Sequence, residues 1–315
     1  MLRTLAVALL AAPLIAAAQF PAKPIRVVVP FPAGSSTDTV TRILASSVSQ
    51  SVGQPLLVEN KAGADGAIAA SEVAKSPADG YTLLMATNSP MSAVPAMKKS
   101  PPYDAVADFT PITDVGRYTF FIVVHPSVPA KTLAELIDHA RANPAKLNYA
   151  TGNTTGIVST AFFASQAGIK LVHVPYKGEP QAITDLLAGR VQLMFTSSST
   201  SMPHIREGKL RALVTTLPRR SALLPDVPSI AEAGMPQFSI TSWAGLFGPA
   251  KMPREVVERL NREFGAAMAR SDVQAAMERQ AFALSPSTPE RLAAFVKEQI
   301  ASYRRTLEAA GVQPE

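Results

Sequence analysis

The chain has 315 residues, 30 basic and 24 acidic side chains, a formal net charge of +6 and no cysteine. Without cysteine there is no disulfide framework, thiolate metal site, cysteine nucleophile or lipid-bearing cysteine; the scattered charges and an aromatic content of only 6% also lack the basic stripe and stacking rings of a nucleic-acid surface. The length exceeds what one core usually covers, so two domains are expected.

Residues 1–18 carry one charge, Arg3, then an apolar run through Ile15 and a small-residue end, Ala16, Ala17 and Ala18. That layout is a secretory signal peptide with cleavage expected after Ala18. Beyond it no stretch of about 18 apolar residues runs free of charges, so no later transmembrane helix is expected.

Strands are predicted at 25–31, 55–59, 81–86, 120–125, 147–150, 171–174, 191–196, 210–215 and 243–248. Helical periodicity lies between several of them: Val40, Ile43, Leu44 and Val48 share one face, as do Leu133, Leu136, Ile137 and Ala140. The alternation predicts an α/β fold of mostly parallel sheets covered on both faces. Strand 120–125 runs through Pro126 and Pro129 into a helix with the capping-box spacing Thr132-x-x-Glu135; strand 243–248 runs through Pro249 and Pro253 into another helix. A chain that leaves one sheet, builds a second and returns has this pattern, as does a chain in which proline merely punctuates strand ends. The last fifty residues read as helical, with Leu292, Phe295, Val296, Ile300, Tyr303 and Leu307 as a stripe packing on the first domain.

Two strand-to-helix loops carry chemistry. In the first, Phe31, Pro32, Ala33, Gly34, Ser35, Ser36, Thr37 and Asp38, Gly34 permits a tight turn and Ser35-x-x-Asp38 is a capping spacing. In the second, Thr151, Gly152, Asn153, Thr154 and Thr155 offer donors without net charge. Helix-start N–H groups and the helix dipole favour a carboxylate or phosphate. Each loop taken alone reads first as a capped structural turn; two of them, one per domain, suit a ligand gripped between lobes. Thr87, Asn88 and Ser89 after the third strand, and Ser197 and Ser198 after strand 191–196, lie where they can complete a polar pocket. Tyr176 and Lys177 follow another strand, and Lys177 is the one cation placed to meet an anion. There is no G-x-S-x-G, G-x-G-x-x-G, Walker lysine loop or H-E-x-x-H, and His125, His139, His173 and His204 show no metal-ligand spacing. No catalytic residue, cofactor or metal is predicted.

Ten segments, in order, resemble one family: FPAKPIRVVVPFPAGSSTD at 20–38, VENKAGADG at 58–66, ADGYTLLMAT at 78–87, YDAVADFTPIT at 103–113, VVHPSVPAKTLAEL at 123–136, LNYATGNTTGIV at 147–158, VHVPYKG at 172–178, DLLAGRVQLMF at 185–195, LPDVPSIAEAG at 224–234 and SWAGLFGPAKMP at 242–253. The chain resembles the Bug (TctC-like) family, the periplasmic solute-binding proteins of tripartite tricarboxylate transporters.

The resemblance implies a type II periplasmic binding-protein fold: two α/β lobes, 19–119 with 243–315 and 120–242, joined by two hinge crossings near Arg117–Phe120 and Ser242–Gly245. It implies a monomeric receptor that binds a small carboxylate and passes it to a membrane permease, some members also informing a sensor kinase. The family grips the carboxylate with backbone N–H groups, hydroxyls and water from loops matching 31–38 and 151–155. Two departures stand out. Ser35 replaces the usual second glycine of the first loop, and Ala62 and Asp65 stand where proline and glycine are usual. An Asp65 facing the cleft would repel a second carboxylate and favour an amino group; the simpler expectation is an exposed turn residue.

Overall fold

The computed structural model describes residues 20–217, 219–221, 223–236, 238, 242–309 and 314; the leader and the expected cleavage after Ala18 lie outside the described residues. The first strand, β1 (Ile25–Val29), is a β-branched run whose residues are almost wholly buried, as a strand covered on both faces requires. It continues into α1 (Ser36–Val52), whose Val40, Leu44, Ala45 and Val48 face the core and whose end is closed by Gly53 in the left-handed conformation. Then follow β2 (Leu56–Asn60), α2 (Ala67–Ala74), β3 (Thr82–Thr87), the short α3 (Val94–Met97) and β4 (Phe109–Tyr118).

A second run comprises β5 (Phe120–Val124), α4 (Leu133–Ala142), β6 (Asn148–Thr151), α5 (Thr154–Ala167), β7 (Val172–Pro175), α6 (Glu179–Leu187), β8 (Leu193–Ser197), α7 (Ser198–Arg206) and β9 (Arg211–Thr215). The chain then enters β10 (Trp243–Pro249), α8 (Arg254–Ala269), α9 (Ser271–Arg279), β11 (Phe282–Leu284) and α10 (Pro289–Ala309).

Two sheets result, ordered β11-β4-β10-β3-β1-β2 and β7-β6-β8-β5-β9. This is a mixed α/β, two-lobed periplasmic binding-protein fold. β10 belongs with the strands at the front of the chain, so the path leaves the first sheet, builds the second and returns. The sheets are mixed, which corrects the expectation of mostly parallel ones. β1 pairs in parallel with β2 and β3, and β6 with β7 and β8, but β5 and β10 run antiparallel to their neighbours. The reason is connectivity. A strand arriving from the other sheet starts at the end where the helix-linked strands finish: Ala244 pairs with Thr87, and Phe120 with Ser197.

The strand β4 was not predicted. Pro111, Asp114 and Gly116 break its alternation, and its partner β10 accommodates it with two register shifts. Gly116, at φ +154°, is required because a Cβ there would sit 2.1 Å from the Ala283 carbonyl oxygen of β11. β11 is a three-residue strand inside the segment read as helical. The stripe of α10 is as expected: Leu292, Val296, Tyr303 and Leu307 are buried, with α10 against β4 and α3.

Only Thr119 separates β4 from β5, and Tyr118 donates its N–H to the Ser242 carbonyl at 3.0 Å, so the two crossings lie side by side. Arg117 holds Asp114 at 2.8 Å and stacks its guanidinium over Phe295 at 4.3 Å. Trp243, fully buried, meets the Phe295 ring edge-on at 5.3 Å.

Candidate functional site

The carboxyl ends of β1, β3, β6, β7 and β8 converge on one pocket between the sheets. It is lined by Phe31, Ser35, Ser36, Thr37, Thr87, Asn88, Ser89, Tyr118, Phe120, Gly152, Asn153, Thr155, Glu179, Ser197 and Ser242.

The first loop is built as a capped helix start. Ser35 Oγ accepts from the Asp38 N–H at 3.3 Å, and Asp38 Oδ2 accepts from the Gly34 N–H at 3.0 Å. The box thus reaches back one residue beyond the cap, as it does at α4, where Glu135 Oε2 accepts from the Lys131 N–H at 2.6 Å. Gly34 has φ +79°, whereas Ser35, at φ −70°, uses its side chain as the cap and has no need of glycine's freedom. Burial pushes the Asp38 carboxyl up, but Arg42, the Gly34 N–H and Asn60 outweigh it and leave it below the ordinary aspartate range. Helix geometry leaves the next N–H groups, those of Ser36 and Thr37, without an acceptor in their own helix.

The second loop repeats the design. Asn153 Oδ1 caps α5 by accepting from the Gly156 N–H at 2.9 Å, which leaves Thr154 and Thr155 as the first-turn donors. A Cβ on Gly152 would sit 2.2 Å from the Glu179 nitrogen, so this loop and the start of α6 touch backbone to backbone.

Polar contacts join the two sets of elements and brace the first. The Ser36 hydroxyl meets those of Ser197 and Ser199. Asn88 Nδ2 donates to Thr155 Oγ1 and to the Tyr303 hydroxyl, while its Oδ1 accepts from the Trp243 N–H at 3.3 Å. The Tyr118 hydroxyl donates to Thr37 Oγ1 at 3.1 Å.

Among the sequence-predicted residues, Phe31, Ser35, Ser36, Thr87, Asn88, Ser89, Gly152, Asn153, Thr155 and Ser197 are brought together in this pocket. Gly34 and Asp38 stand behind it and shape the first turn, Ala33 is exposed, and Thr154 is buried with no hydrogen-bond partner for its hydroxyl. Thr151, Tyr176 and Lys177 line an adjoining outer depression with Asp65. Ser198 faces the crossings, its N–H on Thr119 and its hydroxyl on the Gln280 carbonyl. Tyr118, Phe120, Glu179 and Ser242 also line the pocket and were not singled out as ligand contacts from the sequence; Thr37, which lines it too, was named there only as part of the first loop. The available signal for Glu179 was its place at a third strand-to-helix turn, directly after Tyr176, Lys177 and Gly178.

Among the described residues, the pocket lining is uncharged apart from one acid. Glu179 is 6% exposed, and its carboxylate accepts from the Ser197 hydroxyl (2.5 Å), the Ser197 N–H (3.3 Å), the Thr196 hydroxyl (3.2 Å) and Asn153 Nδ2 (3.3 Å). Burial pushes its carboxyl above the ordinary glutamate range despite these donors. No lysine, arginine or histidine is among the described lining residues.

The geometry matches a known group of proteins. Residues 40–312 match the model of the tripartite tricarboxylate transporter family receptor, TctC. The chain belongs to that family. It is similar to the periplasmic binding protein BugD, 31% identical with TM-score 0.89 over 94% of this chain and all of that one. It is likewise similar to Rpa4515 of R. palustris solved with adipate, at 32% identity and TM-score 0.91 over 94% of this chain and all of that one. MatC of Rhodopseudomonas palustris, solved with bound malate, is 30% identical with TM-score 0.87 over 91% of this chain and all of that one. The family and these neighbours are receptors and binding proteins.

Proposed function

We propose that this chain is an exported solute receptor without catalytic activity, which holds a small carboxylate between its lobes and delivers it to a tripartite tricarboxylate-type permease. The leader, cleaved after Ala18, places it in the periplasm; lobe one is 19–119 with 243–315, and lobe two is 120–242. The observation that carries this reading is the convergence of the α1 and α5 starts on one pocket, with Ser36, Thr37, Asn153 and Thr155 in its wall. Adipate and malate in similar receptors support a carboxylate as the ligand.

The energetics suffice without a buried cation. Each helix start contributes roughly 0.3–2 kcal/mol toward an anion. Each hydrogen bond to a charged oxygen contributes roughly 1.5–3 kcal/mol. A few such bonds reach micromolar affinity, about 8 kcal/mol. Closure about the adjacent crossings, driven by contacts made only in the closed form, buries the ligand.

The test is mass spectrometry of small molecules released from protein purified without denaturation, followed by calorimetric titration of the compound found. A carboxylate bound reversibly and unchanged is the expected result. Turnover of the compound, or no affinity for any carboxylate, would overturn the reading.

A further inference from the structure

We propose that Glu179, acting through Ser197, is the specificity-determining residue of the cleft and selects a ligand carrying a protonated amine beside its carboxylate over a plain di- or tricarboxylate. This rests on the receptor reading above and names the ligand class.

The first ground is charge. Among the described residues, Glu179 is the one carboxylate in the lining, and no cation lines the pocket with it. Asp38, the nearest acid behind the first loop, is already paired with Arg42. Lys177 lies in the outer depression, which also holds Asp65. A dicarboxylate drawn into the inner pocket therefore adds negative charge beside Glu179 without local compensation. A monoamino monocarboxylate adds none, and an amino dicarboxylate adds one charge where the plain dicarboxylate adds two.

The second ground is hydrogen-bond polarity. Every protein group on the Glu179 carboxylate is a donor, and they occupy its acceptor positions from the side of β8 and the second loop. Ser197 commits its single hydroxyl proton to Glu179 at 2.5 Å, which leaves only acceptor capacity on that oxygen. That oxygen also meets the Ser36 hydroxyl from the opposite loop and the Thr200 hydroxyl at 3.0 Å, so its lone pairs face these two hydroxyls. An ammonium that takes the place of the Ser36 hydroxyl would donate to this oxygen, backed by the Glu179 carboxylate, beside the start of α1. An ammonium fits there, and a second carboxylate does not.

The third ground is connection. Asn153 caps α5 with its oxygen and holds Glu179 with its nitrogen, so one side chain joins the anion-receiving helix start to the acid. An amine and a carboxylate on one small molecule match that pairing.

The experiment titrates the purified protein calorimetrically with matched pairs: glutamate against glutarate, aspartate against succinate, and 2-aminoadipate against adipate. For the pair that binds most tightly, the amino compound is expected to bind about tenfold or more tightly than its partner, a like-charge penalty partly screened by salt. Glu179→Gln is expected to reduce that ratio to near one and to raise dicarboxylate affinity. Ser197→Ala, which keeps the charge and removes the acceptor, is expected to reduce the ratio as well, and it serves if the glutamine variant does not fold. A dicarboxylate bound as tightly as its amino partner by the unaltered protein would overturn this inference and leave the receptor reading standing. A preference unchanged in both variants would do the same. Failure of every compound to bind overturns both.

Discussion

Gly178 lies against Pro32 across the cleft: a Cβ built on Gly178 would sit 2.8 Å from Cγ and Cδ of the proline ring. The backbone there is extended, at φ −175°, so any residue can adopt it, and glycine is needed only for closeness of approach. Gly178→Ala should therefore leave each lobe folded and hinder their closing. A methyl group forced into such a contact costs about 1–3 kcal/mol. Calorimetric titration should show ligand affinity weakened by about that amount with the melting temperature of the ligand-free protein little changed; equal affinity would mean that the two loops need not meet.

Gly34 makes a different demand. Its φ of +79° is closed to proline, and its N–H, which proline lacks, supports the Asp38 carboxylate. Gly34→Pro should reshape the first turn, lower stability by about 1–3 kcal/mol and weaken ligand binding. Chemical denaturation and titration of the same sample check both effects.

Burial raises the Glu179 carboxyl above its ordinary value, so the folded protein holds its proton more tightly than the unfolded chain. The cost of burying the ionised group is fully present above the raised folded value and is relieved as pH falls toward 4.5. Glu179→Gln should thus raise the melting temperature of the ligand-free protein by a few degrees at neutral pH. The gain should shrink as the buffer is made more acid. A gain that grows toward low pH would contradict the burial argument.

Arg117 supports the buried Asp114 from the hinge strand. Burial lifts the Asp114 carboxyl above the ordinary aspartate range even with Arg117 beside it. Arg117→Met leaves that carboxylate uncompensated and removes the stacking on Phe295. Arg117 keeps partial solvent contact, so the loss should be roughly 1–3 kcal/mol, less than for a fully buried pair. Because protonation of Asp114 relieves the unpaired charge, the deficit should narrow as pH is lowered. Urea unfolding at two pH values measures it.

Trp243 is the only tryptophan, and it sits at the second crossing between Asn88, Phe247 and Phe295. Rotation about the crossings should change its surroundings, so its emission should shift when a carboxylate is added. A bound carboxylate, verified by calorimetry, that leaves the emission untouched would place the movement elsewhere.

What could be read along the chain was whatever local chemistry dictates. The β-branched run of β1, the helical stripes, the caps at Ser35 and Asn153 and the glycine turn at Gly34 depend on neighbours a few residues away. Most strand ends therefore fall within two residues of expectation, and the family follows from segments in order. The missed elements depend on distant partners. β4 tolerates Pro111 and Gly116 because β10 and β11 flank it, and β11 is a strand only because β4 is there to receive it. The site divides the same way. Ser36, Asn88, Asn153 and Ser197 stand at strand ends and could be named in advance. That Ser36 meets Ser197, 161 residues away, and that Glu179 is the sole charge between them, was decided only when the two sheets came together. Desolvation and charge balance are set by what surrounds a group in space, and no stretch of sequence around Glu179 records that.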